Sequence, residues 1–411
     1  MPIQRGGPVE GTPAEGAVFL SALTAGPIAR VDIARETGLS SAAVTRVAKL
    51  LIDEGYLEYA PDQPQQNNGD ETRMGRPSSP LQVHARQTGS FGIIVRRDEL
   101  IGMVCDLAGA PRVSERRPLP DNSVDATVAA IAAFHRELVA RAEDVGFVVA
   151  PHDLGLSLSG DIDHDTGYVR YSPFLGWRDV DLGAAVSIAV GAPVVVENDV
   201  KALTVAEQWF GLGRGITNFA VVTIGTGIGC ALVVDGSLVR GAHSVAGEIG
   251  HLPLGDPAVR CHCGAHGCVE AEASTKALLD SCRAVTGRDD LTIESAVELA
   301  RTGDDGVRAI FARAGRLIGL ALASVANLLG PERVIVAGEG VSSFDLFETA
   351  LREAFAEQAF GAAHQVPIHV RDLPFEEWAR GAAAVAIQEL VFPSRQRVTA
   401  DVRRRPGVRR V

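Results

Sequence analysis

The sequence predicts an α/β protein in two parts, a winged helix-turn-helix followed by a larger two-lobed α/β domain. Three features of the chain point to this. Three short amphipathic segments, separated by turn residues, fall between Glu15 and Glu54. A stretch rich in Gln, Asn, Gly, Pro and Asp follows from Pro61 to Pro80, the composition of a mobile loop. Beyond Gln87, runs of β-branched residues alternate with longer amphipathic runs, as they do where strands and helices form layers. A length of 411 residues suits two or three domains. The expected boundaries are residues 1–85 for the helix-turn-helix and linker, 86–393 for the α/β domain and 394–411 for a basic tail. Within 86–393 the lobes are expected to part near 196, with a C-terminal helix returning to the first lobe.

A first helix is expected over roughly Glu15–Leu23, with Val18, Phe19 and Leu20 as its apolar stripe, and Gly26-Pro27 breaks it. A second, Arg30–Thr37, turns Val31, Ile33 and Ala34 inward and ends at Gly38. Ser40 is a good N-cap for a third, Ser41–Glu54, whose Val44, Val47, Leu50 and Leu51 mark a buried face. Tyr56–Tyr59 alternates as a short strand does. Further on, Phe91–Val95 and Leu100–Asp106 form a hairpin, Val124–Arg141 a long helix and Leu154–Leu158 a buried strand. Val194–Val196, Ala220–Ile224, Ala231–Val234 and Val334–Val336 are further strands.

Helix, tight turn, helix, strand and loop is the winged helix-turn-helix pattern, whose last helix enters the major groove of DNA. The solvent face of that helix carries Ser41, Ala42, Thr45, Arg46 and Lys49. Arg46 can fork onto guanine or a phosphate, and Thr45 can reach a base methyl or a phosphate. Arg73 and Arg76 stand where a wing enters a narrow minor groove. The order of residues from Ile33-Ala34 through Gly38-Leu39-Ser40 to Val44-Thr45-Arg46-Val47 resembles the helix-turn-helix of bacterial regulators. Residues 1–85 hold seven Arg/Lys against ten Asp/Glu, and the whole chain has net charge −12. Contact with DNA therefore rests on local basic positions, not on a basic surface. The tail from Ser394, with seven Arg and one Asp, could add non-specific attraction to phosphate.

No apolar h-region follows Met1, so no secretory signal is expected. The most apolar stretch, Leu317 to Leu329, is too short to span a bilayer and stops at Gly330-Pro331. The expectation is a cytoplasmic protein without a membrane partner. Of six cysteines, Cys105, Cys230 and Cys282 stand alone and read as small buried apolar residues. Cys261, Cys263 and Cys268 cluster within Cys261-His262-Cys263-Gly264-Ala265-His266-Gly267-Cys268, a C-x-C-x4-C run in a Gly-rich turn. Three thiolates this close converge on one soft cation, and a fourth ligand completes a tetrahedron. On spacing alone His251, His262 and His266 are all candidates for that ligand. A closed site of this kind is structural zinc and contributes on the order of 10 kcal/mol to local order.

Gly247-Glu248-Ile249-Gly250-His251, followed by the cysteine run and Val269-Glu270, closely resembles the signature of the ROK (repressor, open reading frame, kinase) family. The resemblance spans roughly residues 90 to 390, and the helix-turn-helix in front matches the family's regulator branch. It implies an actin-like, sugar-kinase-like (ribonuclease H-like) ATPase fold for the large domain. It also implies that His251 joins Cys261, Cys263 and Cys268 on zinc. A sugar pocket is implied as well, with Asn198, Asp199, Glu248, His251 and Glu270 on the hydroxyls. Gly160 and the Pro173–Trp177 segment resemble its walls. Apart from the family, Asn198-Asp199 follows an apolar strand, where α/β ligand clefts open and where a helix cap also stands.

In the family's kinases the residue matching Asp199 is the catalytic base, and the opening strand and turn read D-x-G-G-T. Here the matching positions are Ile94, Arg96, Arg97 and Asp98. Glycines let the backbone approach phosphates closely, and two Arg side chains fill that space. Thr223-Ile224-Gly225-Thr226-Gly227-Ile228-Gly229 keeps the form of a second phosphate turn, and Gly338-Glu339-Gly340 resembles the nucleotide-side turn. The expected protein is not an enzyme but a regulator, a repressor of carbohydrate metabolism that binds an operator as a homodimer or dimer of dimers. Its effector is a sugar or sugar derivative. A protein effector and a kinase with a regulatory head are the competing expectations.

Overall fold

The computed structural model describes residues 12–61, 79–87, 89–147 and 154–391. Its first three helices are α1 (Pro13–Ala25), α2 (Arg30–Thr37) and α3 (Ser41–Asp53). Helix α1 starts two residues before the expected Glu15, because Thr12 and Glu15 close a reciprocal capping box with Pro13 in the first position. Gly38, at φ 69°, ends α2, and Ser40 caps α3 by accepting from Ala43 N. Two apolar positions depart from expectation. Val31 is 67% exposed and Leu50 39% exposed. The buried stripe of α3 is Val44, Val47, Ala48 and Leu51, the i, i+3, i+4, i+7 spacing that keeps one helical face, and Leu50 falls off it.

Strand β1 (Leu57–Tyr59) pairs antiparallel with β2 (Leu81–Val83), and Ile28 bridges to Leu81. These short strands complete a winged helix-turn-helix. Arg73, Arg76 and the tail from Ser394 lie outside the described residues.

The remaining chain builds two five-stranded sheets. The first contains β3 (Gly89–Val95), β4 (Glu99–Asp106), β5 (Pro111–Pro118), then, after α4 (Val124–Asp144), β6 (Leu154–Leu158) and β10 (Val194–Asn198), in the order β10-β6-β3-β4-β5. Between β6 and β10 lie a small antiparallel sheet of β7 (Asp161–Asp163), β8 (Tyr168–Ser172) and β9 (Trp177–Asp181), and helix α5 (Leu182–Val190). The second sheet contains β11 (Phe219–Ile224), β12 (Ile228–Val234), β13 (Ser237–Leu238), β14 (Arg333–Ala337) and β15 (Ile368–Val370), in the order β13-β12-β11-β14-β15. Each sheet has one antiparallel hairpin strand beside its first strand and parallel strands on the other side. The two sheets thus share one strand order, as an actin-like fold requires.

The chain divides into two compact units. One comprises the chain up to Ala202 together with Trp378 onward, and the other runs from Leu203 to Glu377. The division falls within α6 (Asp199–Phe210). In the first unit, glycines set how closely helices approach the sheet. A Cβ on Gly92 would meet Ala379 O at 2.0 Å, and one on Gly155 would meet Ala382 O at 1.9 Å. Helix α12 (Glu376–Val391) therefore lies directly on β3 and β6. On the opposite face, Gly102 receives Phe134 and Leu138 of α4. Gly102 pairs with Ile93, one residue along from Gly92, so the pleat puts the two helices on opposite faces.

In the second unit, α7 (Glu270–Ala273), α8 (Thr275–Thr286) and α9 (Ile293–Thr302) precede α10 (Asp305–Leu329), and α11 (Phe344–Gln358) follows β14. Helix α10 is long and apolar enough to match a membrane span by composition, but Phe311, Ile318, Leu322 and Ala326 are buried in this unit's core. Its Gly315 and Gly319 lie against the backbone of Phe347 and Leu351 on α11.

Candidate metal centre and ligand-binding residues

Two glycines shape the Gly247–His251 segment. A Cβ on Gly247, which sits at φ 97°, would fall 2.3 Å from Cys230 O, and one on Gly250 would fall 2.2 Å from Ile228 O. The segment can lie flat on β12 only because both side chains are missing. That placement sends His251 toward the cysteines. His251 Nδ1 is 3.7 Å from Cys261 Sγ, and Cys263 Sγ is 3.8 Å from Cys268 Sγ. The ligand atoms of His251, Cys261, Cys263 and Cys268 all lie within 4.8 Å of one another. A tetrahedral ion with metal–sulfur bonds of ~2.3 Å has edges of about 3.8 Å, so the donor set and its spacing fit one such ion. The cluster can hold a metal.

The knuckle is held by its own backbone. Cys261 N donates to Ala265 O at 2.8 Å, Gly264 N to Cys261 O at 3.0 Å, and Gly267 N to Val259 O at 2.9 Å. Burial pushes the Cys268 thiol up to about 12, and burial also raises Cys261. Of the other two candidate histidines, His266 is exposed and His262 turns to Glu270, with Nε2 2.5 Å from Oε1. The second oxygen of buried Glu270 accepts from Ile228 N at 2.9 Å. Glu270 thus ties α7 to the start of β12, a structural task that its position in the sequence motif does not reveal. Glu248 is exposed beside these groups.

Asn198 and Asp199 belong to the first unit, at the carboxyl end of β10. Asn198 Oδ1 accepts from Val200 N and Lys201 N, so it caps α6, while its Nδ2 donates to Gly160 O at 3.2 Å. Gly160 has φ 143°, and a Cβ there would meet Tyr171 O at 2.4 Å. The cap leaves Asn198 held rigidly, with one amide hydrogen beyond the Gly160 contact. Trp177 is buried and donates its indole N–H to Asn122 O at 2.8 Å.

Beneath Asn198 lies a group of buried ionisable side chains that sequence reasoning missed. Glu197 Oε1 accepts from Asn198 N at 2.9 Å, and Glu197 Oε2 is 3.0 Å from His164 Nδ1. His164 Nε2 is 3.3 Å from Glu389 Oε1 on α12. Residues 164 and 389 are 225 positions apart, and no local pattern links them.

The turn between β3 and β4 is tight, with Arg96 N donating to Glu99 O at 3.0 Å. Glu99 draws both Arg96 and Arg116, at 3.4 and 3.5 Å. Ile94 is buried in the sheet, while Arg97 and Asp98 are exposed. On α3, Ser41, Ala42, Thr45, Arg46 and Lys49 are all exposed, and Thr45 Oγ1 donates to Ser41 O at 2.8 Å. That bond occupies the hydroxyl hydrogen of Thr45 and leaves its oxygen free only to accept.

Residues 91–389 match the sequence profile of the ROK family. The chain is 26% identical over 393 residues to the DNA-binding transcriptional repressor Mlc of Escherichia coli K12, covering 92% of this chain and 93% of that protein. It is 27% identical over 334 residues to the xylose repressor of Bacillus subtilis 168, covering 81% and 84% respectively. Among solved structures, a ROK family transcriptional regulator homologous to the E. coli Mlc protein superposes with a TM-score of 0.77 at 26% identity, over 92% of this chain and 96% of that one.

Proposed function

This chain belongs to the ROK family, and from that premise we propose that it is a DNA-binding transcriptional repressor of carbohydrate metabolism, controlled by a sugar or sugar derivative that it binds without phosphorylating. The observation that carries the reading is the joining of a winged helix-turn-helix to a ROK domain over residues 91–389 in one chain. The exposed face of α3, with Arg46 and Lys49, is the proposed major-groove reader, and Ser41 and Thr45 its phosphate or base-methyl contacts. Arg73 and Arg76 are proposed for the wing. Helix-turn-helix proteins read paired half-sites, so a homodimer or a dimer of dimers acts at the operator, in the cytoplasm.

The proposed sugar ligands are Gly160, Asn198, Asp199, Glu248, His251 and Glu270. Fixed amides and carboxylates of this kind suit vicinal hydroxyls. Zinc is the proposed ion of the cluster of His251, Cys261, Cys263 and Cys268, with a structural role. The reading of a non-phosphorylating protein is supported by the β3–β4 turn. A buried isoleucine replaces an acidic metal ligand, and the Arg96–Glu99–Arg116 group stands where a glycine turn would admit phosphates.

Isothermal titration of the zinc-replete protein with hexoses, pentoses, amino sugars and their phosphates tests the reading. One sugar class is expected to bind, with no ADP released when ATP and magnesium are added. The Asn198→Ala and Glu248→Ala variants are expected to keep operator affinity but lose the response to that sugar. ADP release by the intact chain would overturn the non-enzymatic reading, and unaltered sugar response in both variants would overturn the assignment of the pocket.

A further inference from the structure

The Gly225-Thr226-Gly227 turn joins β11 to β12, the same place in its sheet that the Arg96–Asp98 turn occupies between β3 and β4. A turn of this composition offers backbone N–H groups to an oxyanion. In this structure most of those donors already have partners. Gly225 N donates to Gly227 O at 3.0 Å, and Ile228 N donates to Glu270. Thr226 N donates to Glu339 Oε1 at 2.7 Å, and Thr226 Oγ1 donates to the same oxygen at 2.8 Å. A carboxylate from a segment 113 residues away thus sits in the turn.

The fit is close as well as hydrogen-bonded. A Cβ on Gly225 would fall 2.3 Å from the Glu339 carboxyl carbon, and 2.5 and 2.4 Å from its Oε1 and Oε2. The glycines on either side of Glu339 bring it there. Gly338 adopts φ 101°, where a Cβ would meet Ile224 O at 2.5 Å, and one on Gly340 would meet the same oxygen at 2.9 Å. The Gly338–Gly340 segment therefore lies against the end of β11 and delivers its single side chain to the turn.

We infer that Glu339 is a built-in occupant of an anion site at Gly225–Gly227, a carboxylate in the place of a nucleotide's phosphate, and that it keeps nucleoside triphosphates out of the second unit. A polyphosphate entering the turn has to take the two Thr226 donors from Glu339 and then lie beside a like charge. The inference deepens the reading that this protein does not phosphorylate its sugar. It adds a second, independent block to the Arg96–Arg97 turn of the other sheet.

The test is titration of ATP and of inorganic tripolyphosphate into the full-length protein and its Glu339→Gly and Glu339→Gln variants, with thermal melting of each to verify folding. Removal of the carboxylate in Glu339→Gly is expected to raise affinity for both anions roughly tenfold or more, since like-charge juxtaposition is strongly unfavourable. Glu339→Gln keeps the shape and one acceptor and is expected to gain less. Each anion is also expected to raise the melting temperature of Glu339→Gly and not that of the parent. Equal affinity in parent and Glu339→Gly, or no gain in a folded variant, overturns the inference. If Glu339→Gly does not fold, a Glu339→Gln affinity equal to the parent's does the same. Sugar titration of the same samples is read separately, so failure of the sugar reading leaves this result standing.

Discussion

Two thiols of the proposed metal cluster set a chemical condition on loading it. Burial holds the proton on Cys268, pushed up to about 12, and on Cys261, which is also raised. Both are therefore thiols at neutral pH in the metal-free protein, and both must become thiolates to ligate. Loading zinc at pH 7 is expected to release at least these two protons, measured by titration in two buffers of different ionisation enthalpy. Affinity then falls as pH falls, because protons compete for the same sulfurs. Zinc uptake without proton release would show that the thiols are not the ligands. The cysteine cluster was legible because its three thiols lie within eight residues. The roles of His262 and Glu339 were not, since each depends on a partner brought close by a turn of the fold. The Asn198 side chain shows the limit in another way. The cap and the ligand-binding reading, which compete in the sequence, are compatible in one residue, because the cap takes Oδ1 and leaves Nδ2 to face Gly160.

Among the elements, those with strong periodicity could be read directly, while those whose character depends on distant neighbours could not. Helices α2 and α3 and strands β3, β4 and β6 carry turn signals and regular apolar spacing. Strand β2 has three residues and exists because it pairs with β1 across the Pro61–Pro80 stretch. Strand β5 escaped notice because Arg112, Glu115, Arg116 and Arg117 give it the composition of a solvated loop, which an edge strand can tolerate. Helix α12 is rich in alanine, and only the glycines of β3 and β6 explain why. Small residues on both sides let helix and sheet touch along their backbones. Gly155→Ala is accordingly expected to cost about 3 kcal/mol or more, since a methyl there meets main chain and not a flexible side chain. Thermal melting measures the cost, and an unchanged melting temperature would show that α12 does not rest on β6.

For the whole molecule, the main structural fact is that the first unit is discontinuous. Its sheet is made from residues 89–198, but the helix covering one face comes after the entire second unit. Ser90 Oγ donates to Ala383 O at 2.8 Å across 293 residues of chain. A protein truncated after Pro374 is expected to retain hydrogen-exchange protection in β11 and β14 and to lose it in β3 and β6. Protection of all four strands would show that the first sheet can stand without α12. The same connectivity sets a timetable for biosynthesis. Strands β3 and β6 leave the ribosome long before Ala379–Ala386 has been translated, so their shared face waits uncovered while the intervening Leu203–Glu377 emerges and closes its own core. Of the two α/β cores, the one later in sequence is therefore the first to have its whole chain translated, and the glycine-lined face of the nascent first sheet is the last core surface to receive its cover.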